Sequence, residues 1–268
     1  MKTSTTARIG LRTVALGYLL LLLAVPIVLI LWRTFSPGVG AFVASVRTPA
    51  AISALNLSLL IVAIVVPLNV GFGICTALAL VRGRFRGRGL VQAVVDLPFA
   101  VSPIVVGVSL ILLWGAGGWF GGVENLGVKV IFGLPGMVIA TLFVTLPFVV
   151  REVEPVLHEI GIDQEQAAAT LGASTWQTFW RITLPSIRWG LTYGVVLTIA
   201  RGLGEFGAVI MVSSGFPGVS QTLTLLVHSR YIDDHNAYGS YAAATLLMGL
   251  AVVTLLLMTL LDRKRSTP

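Results

Sequence analysis

Six apolar runs, separated by polar or glycine-rich stretches, set the rhythm of the chain: residues 14–32, 52–81, 90–114, 136–150, 189–212 and 238–261. A helix needs about 20 apolar residues to cross a bilayer, and most of these runs reach that length. The run 136–150 is short by itself and is read as extending at both ends. The pattern predicts an all-α, polytopic membrane protein with about six transmembrane helices in a single domain, residues 1–268. The first run is long for a signal core, and no clear small-residue cleavage site follows it, so it is read as a retained span. Pro26 marks a candidate kink there; Pro67, Gly71 and Gly73 are candidate bend sites in the second run.

One polar passage departs from this rhythm. Residues 163–185 carry turn and cap residues in an order that predicts two short helices. Asp163 with Gln166 three residues on has capping-box spacing, and an alanine-rich segment follows. Gly172 suits a left-handed helix end. Ser174 and Gln177 repeat the box and open a second helix, which Pro185 is read as ending. A simple connector needs only a few residues. Such a segment either docks on a partner or lies as an amphipathic hairpin on the bilayer surface.

Composition agrees with membrane insertion. Apolar residues make up 56% of the chain and charged residues 11%, against about 25% in soluble domains. The net charge of +7 is a matter of loop placement. The segments on the side of residues 163–185 hold 13 Lys and Arg, the opposite loops 4, and one more, Arg201, lies within a run. That bias places both termini and the polar passage in the cytoplasm. The run of Arg82, Arg84, Arg86 and Arg88 is read the same way, and no nucleic-acid role is assigned. Cys75, the one cysteine, excludes an internal disulfide and is read as a core residue.

Three formal charges fall inside the runs: Asp96, Arg201 and Glu205. Such residues face a bundle interior or a water-filled path. Arg201 and Glu205 are four apart and share a helix face, so either a packing pair or an anion-attracting arginine on a translocation path fits. Asp96 is placed near the inner interface. Gly202, Gly204 and Gly207 match a dinucleotide fingerprint by letter only, since no strand precedes them; they suit close helix packing. His228, Asp233, Asp234 and His235 are read as solvated loop residues rather than metal ligands. No glycine-rich phosphate loop ends in Gly-Lys, so no ATP site is assigned to this chain, and it is not read as an enzyme.

The passage resembles the cytoplasmic coupling loop of ABC importer permeases, in which Glu-Ala-Ala, three residues, Gly, nine residues and Ile-x-Leu-Pro recur. Ala167, Ala168, Gly172, Ile182, Leu184 and Pro185 match; Gln166 stands where Glu is usual, with Glu165 one residue earlier. Asp96–Gly107, Thr145–Leu157, Trp176–Val209 and Gln221–Val227 extend the resemblance to the permeases of sulfate/thiosulfate importers, the W-type subunit above all. Molybdate permeases are relatives, and molybdate or tungstate is the alternative cargo. The resemblance implies a type I importer permease fold, with residues 159–188 as coupling loop. It implies a homologous T-type permease and a dimer of cytoplasmic ATPases carrying ATP and Mg, with no cofactor on this chain. It also implies an extracytoplasmic sulfate-binding protein and a place in the cell membrane.

Overall fold

A computed structural model describes residues 5–265; Lys2, counted above in the basic N-terminal tail, and the last three residues of the C-terminal tail lie outside them. Every regular element among the described residues is helical. The first run is α1 (Thr5–Leu19), a π-helical turn (Leu20–Ala24) and α2 (Val25–Phe35). Pro26 opens α2, where a missing N–H costs little. The expected outer loop 35–51 holds a helix, α3 (Val39–Val46). α4 (Pro49–Arg82) then runs 34 residues without a break, its start capped by the Thr48 side chain, which accepts from the Ala51 N–H at 3.3 Å.

The third run is not one straight helix. α5 (Arg88–Ala100) and α6 (Pro103–Trp114) meet at 113°. Pro103 pushes Ser102 into an extended conformation and so separates the two. α7 (Leu134–Ile160) extends the short fourth run on both sides, as expected. The fifth run is also divided: α10 (Leu184–Leu203) stops at Gly204, and α11 (Gly207–Val212) restarts after it. Before α10 lie α8 (Asp163–Thr170), α9 (Thr175–Thr178) and a π-helical turn (Phe179–Thr183). The loop expected over 213–236 contains α12 (Leu223–Ile232), whose Leu223 to Leu226 are buried. α13 (Ala237–Arg265) closes the chain.

Four stretches among the described residues are long and apolar enough to cross a membrane, Ile9–Phe35, Pro49–Arg82, Leu134–Ile160 and Ala237–Thr259; the α5–α6 pair reaches that length only when its two bent halves are taken together. α10 has 20 residues but carries Arg188 and Arg201, and it lies along α7 and α4 inside the bundle.

Lipid is as apolar as leucine, so helices in a bilayer associate through close packing and small residues. The centre of the fold meets this demand at Val149 of α7, which is fully buried. Gly73 of α4 and Gly194 of α10 press on it from two sides. A Cβ on Gly73 would lie 2.4 Å from Val149 Cγ1, and one on Gly194 2.8 Å from Val149 Cα. Leu80, Val153, Leu157 and Ile187 continue this core towards α8. Ile61, Val65, Met137 and Val209 form a second cluster beyond it. The Asn69 amide of α4 donates to Thr145 Oγ1 of α7 at 2.7 Å, a polar tie in the same seam. α2 is fastened to α13 through Thr34 and Thr245, whose hydroxyls lie 2.8 Å apart. Large apolar side chains of the first span from Ile9 to Leu23 are exposed.

Cys75 is exposed rather than in the core. In a soluble chain an apolar run signals burial. In a membrane chain the lipid-facing side is equally apolar, so the run carries no such information.

Gly194→Val is expected to overpack the seam and cost about 1–3 kcal/mol. Gly71→Ala, at a glycine with open space around it, is expected to leave stability within about 0.5 kcal/mol. Thermal unfolding of the purified protein in detergent measures both.

Candidate functional site

The coupling segment begins where α7 ends. Gly161 takes a positive φ of 62° and turns the chain. Ile162, not Asp163, is the residue preceding the first turn of α8, and it makes no side-chain cap. The backbone explains the shift: the Gln166 N–H is taken by the Ile162 carbonyl at 2.9 Å, which leaves the Asp163 side chain inside the helix. Asp163 and Glu165 still place negative charge in the first turn, where the helix dipole favours it.

The end of α8 follows the expectation for Gly172. Its φ is 83°, and its N–H bonds to the Ala169 carbonyl at 3.0 Å. The Ala173 N–H reaches back to the Ala168 carbonyl at 3.0 Å, completing a Schellman motif. Ser174 and Gln177 then form the expected capping box. The Gln177 N–H donates to Ser174 Oγ at 3.3 Å, and the Ser174 N–H donates to Gln177 Oε1 at 2.9 Å. Pro185, however, does not end the second helix. It lies in the first turn of α10, where the missing N–H interrupts no bond of that helix, and the π turn before it keeps the chain helical.

Of the predicted coupling residues, Gln166, Ala167, Gly172 and Pro185 are exposed, while Ala168, Ile182 and Leu184 are partly buried. Leu171, Trp176 and Trp180 add exposed apolar surface beside them. Trp176 and Phe179 stack at 6.2 Å between ring centroids, and Trp180 meets both edge-on at 5.5 Å. Glu165 points inward, to Arg82 and Thr183.

The three intramembrane charges all have partners. Asp96 of α5 accepts from Arg151 Nε of α7 at 2.9 Å, and both side chains are about two-fifths exposed. Arg201 Nη1 lies 2.6 Å from Glu205 Oε2. The pair forms although α10 has stopped at Leu203, because Glu205 sits in the break and folds back. Its other oxygen accepts the Ala208 N–H at 2.8 Å and so caps α11, while the Thr224 hydroxyl donates to its carbonyl at 2.8 Å. The Glu205 side chain is 1% exposed and that of Arg201 34%.

Beyond the end of α11 a cavity of about 670 Å3 opens, lined in part by Ser213, Gln221, His228, Arg230 and Asp234. Arg230 is buried and staples three elements. It donates to Thr48 Oγ1 at 2.8 Å, to the Gly239 carbonyl at 2.9 Å and to the Ser45 carbonyl at 3.2 Å. Burial lowers its pKa from the ordinary arginine value, and the Asp234 carboxylate opposes that. His228 stacks on Phe206 at 5.3 Å, whereas Asp233, Asp234 and His235 are exposed. No group of three potential metal ligands gathers among the described residues.

Arg82 and Thr183 escaped the sequence reading. In the sequence Arg82 is one charge of a basic run. Nothing in a single sequence signals that it meets a residue 83 positions away.

A solved bacterial alginate ABC transporter, in complex with an alginate-bound periplasmic protein, contains a chain that superimposes on this one with a TM-score of 0.79. The two are 17% identical, and the match covers 96% of this chain and 94% of that one. The fold is therefore that of an ABC importer permease. The chain belongs to the family of binding-protein-dependent transport system inner membrane components, which matches residues 69–267. Among curated proteins it is similar to the sulfate transport system permease protein CysW of Synechocystis, 48% identical over 95% of this chain and 92% of that protein. The protein of the same name from Escherichia coli K12 is 43% identical over 95% and 86% respectively.

Arg201→Gln leaves a buried carboxylate without its partner and is expected to cost about 2–4 kcal/mol. Adding Glu205→Gln is expected to recover part of that, since an amide tolerates burial better than an unpaired charge. Unfolding midpoints of the two variants in detergent measure the difference. Loss of transport well beyond the loss of folded protein would instead put Arg201 on the anion's path.

Proposed function

We propose that this chain is the W-type permease subunit of an ATP-driven importer that carries sulfate across the cell membrane into the cytoplasm. The observation that carries the reading is the 48% identity to a sulfate permease over nearly the whole of both chains. The coupling segment agrees with it, since the exposed surface at Gln166, Ala167, Gly172, Trp176 and Trp180 is what a docking partner would meet. The molybdate or tungstate alternative has no comparable support.

In this reading the bundle provides the path, and ATP with Mg is bound and hydrolysed by a dimer of cytoplasmic ATPases. A homologous T-type permease completes the membrane part, and an extracytoplasmic binding protein delivers the anion. The excess of Lys and Arg on the side of residues 163–185 supports a cytoplasmic location for that segment and for both termini. Closure of the ATPase dimer would push the coupling segments and rock the bundle between outward- and inward-facing states. Arg201 and Glu205 then serve the shape of the α10–α11 break, and Asp96 with Arg151 ties α5 to α7.

The test is uptake of labelled sulfate in cells lacking this chain and in the same cells with it restored. Restored uptake that unlabelled thiosulfate suppresses, and low molybdate does not, is the expected result. Unchanged sulfate uptake with loss of molybdate uptake would move the cargo to the alternative. In the same cells Gly172→Asp is expected to reduce co-purification of the ATPase with this chain. It puts a Cβ at a φ of 83° and a charge on the docking surface.

A further inference from the structure

Docking places a partner on the exposed side of α8. It does not explain how a push on α8 reaches the membrane core. α8 is short, with 8 residues, none of them buried. Polar side chains supply the connection. Arg82 closes the last turn of α4. Its Nε lies 3.2 Å from Glu165 Oε2, and its Nη2 donates to Glu165 Oε1 at 3.3 Å. The Thr183 hydroxyl donates to the same Oε1 at 3.0 Å. Glu165 thus has both oxygens engaged within the chain.

The same guanidinium grips α7. Nη1 donates to the Leu157 carbonyl at 3.3 Å, and Nη2 donates to the Gly161 carbonyl. Leu157 belongs to the last turn of α7, where carbonyls have no partner inside the helix, and a cation at that end is favoured by the helix dipole. Thr183, which anchors the other side of Glu165, is buried and leads directly into α10. One arginine and one glutamate therefore join α8 to α4, α7 and α10 at once. These are the three helices that meet at Val149.

We propose that Arg82 and Glu165 form a clasp that transmits movement of the coupling helix α8 into the α4–α7–α10 core, while docking is left to the exposed residues beside it. The proposal rests on the importer reading given above. It makes Glu165 a positioning residue that acts through Arg82, not a contact to the ATPase. The side chains are 20% and 23% exposed, so water screens the pair only in part. A pair that is partly shielded yet near the surface suits a joint that holds under load and is not walled into the bundle.

The experiment uses the full complex purified through a tag on this chain, beside sulfate uptake in the cells that make it. Arg82→Gln is expected to leave the ratio of ATPase to permease at the wild-type value while lowering uptake about tenfold. Glu165→Gln is expected to lower uptake in the same way, and Arg82→Lys, which keeps the charge but not the fork of donors, to retain part of it. Uptake lost per folded, ATPase-bearing complex is a readout a purely structural role for either residue would not give. Wild-type uptake in Arg82→Gln overturns the clasp. Loss of ATPase in step with uptake also overturns it, by making Arg82 part of the docking surface. If the wild-type chain itself retains no ATPase, the importer reading fails and the clasp fails with it.

Discussion

Val149 is the point on which the bundle depends. In a bilayer nothing drives two apolar helices together except the closeness with which they pack. Gly73 and Gly194 supply that closeness, one against the Val149 side chain and the other against its backbone, so α4 and α10 are both registered against one residue. The consequences run outwards from there. Because the two helices are fixed against α7, their ends beside α8 are brought together, so that Arg82 and Thr183 both bond Glu165 while Arg82 also bonds the Leu157 carbonyl. The other end of α10 is fixed too, which puts Glu205 where it can cap α11 and pair with Arg201.

The second constraint is that backbone groups and charges at membrane depth need partners within the protein. The breaks in the chain obey it. At 204–206 the Glu205 carboxylate takes the Ala208 N–H, and its carbonyl takes the Thr224 hydroxyl. α12, which supplies that hydroxyl, is drawn into the bundle by Leu223 to Leu226 and locked by Arg230. A stretch that looks like a polar loop in the sequence is therefore a wall of the fold.

What the sequence displayed, and what it hid, divides along the range of the interaction. Signals confined to a few neighbouring residues were legible: the left-handed Gly172, the Ser174–Gln177 box, and the four-residue spacing of Arg201 and Glu205. Asp163 was misread because its spacing to Gln166 suited a cap while the backbone of Ile162 had already taken the Gln166 N–H. Prolines were ambiguous for a physical reason. Pro67, Pro147 and Pro155 lie inside continuous helices, Pro185 follows a π turn on an unbroken helical course, Pro103 opens a new helix, and the letter is the same in each case. Cys75 and α12 were misplaced because apolarity marks lipid contact and core alike, and polarity marks neither. The Arg82–Glu165 contact joins residues that only the finished fold makes neighbours.

The helical path through the π turn has a mechanical meaning. From Thr175 to Leu203 the chain passes through α9, the π turn and α10 without leaving a helical course. These 29 residues form a strut of roughly 43 Å, reckoned at the usual helical rise. Such a strut works as a lever. If one end turns by about 5°, the other end sweeps by about 4 Å on that length, with no residue along it changing conformation. It begins at the Ser174 cap and ends at Gly204, where the chain first gives way. A displacement at one end would be spent at the break on the other, where Glu205 caps α11.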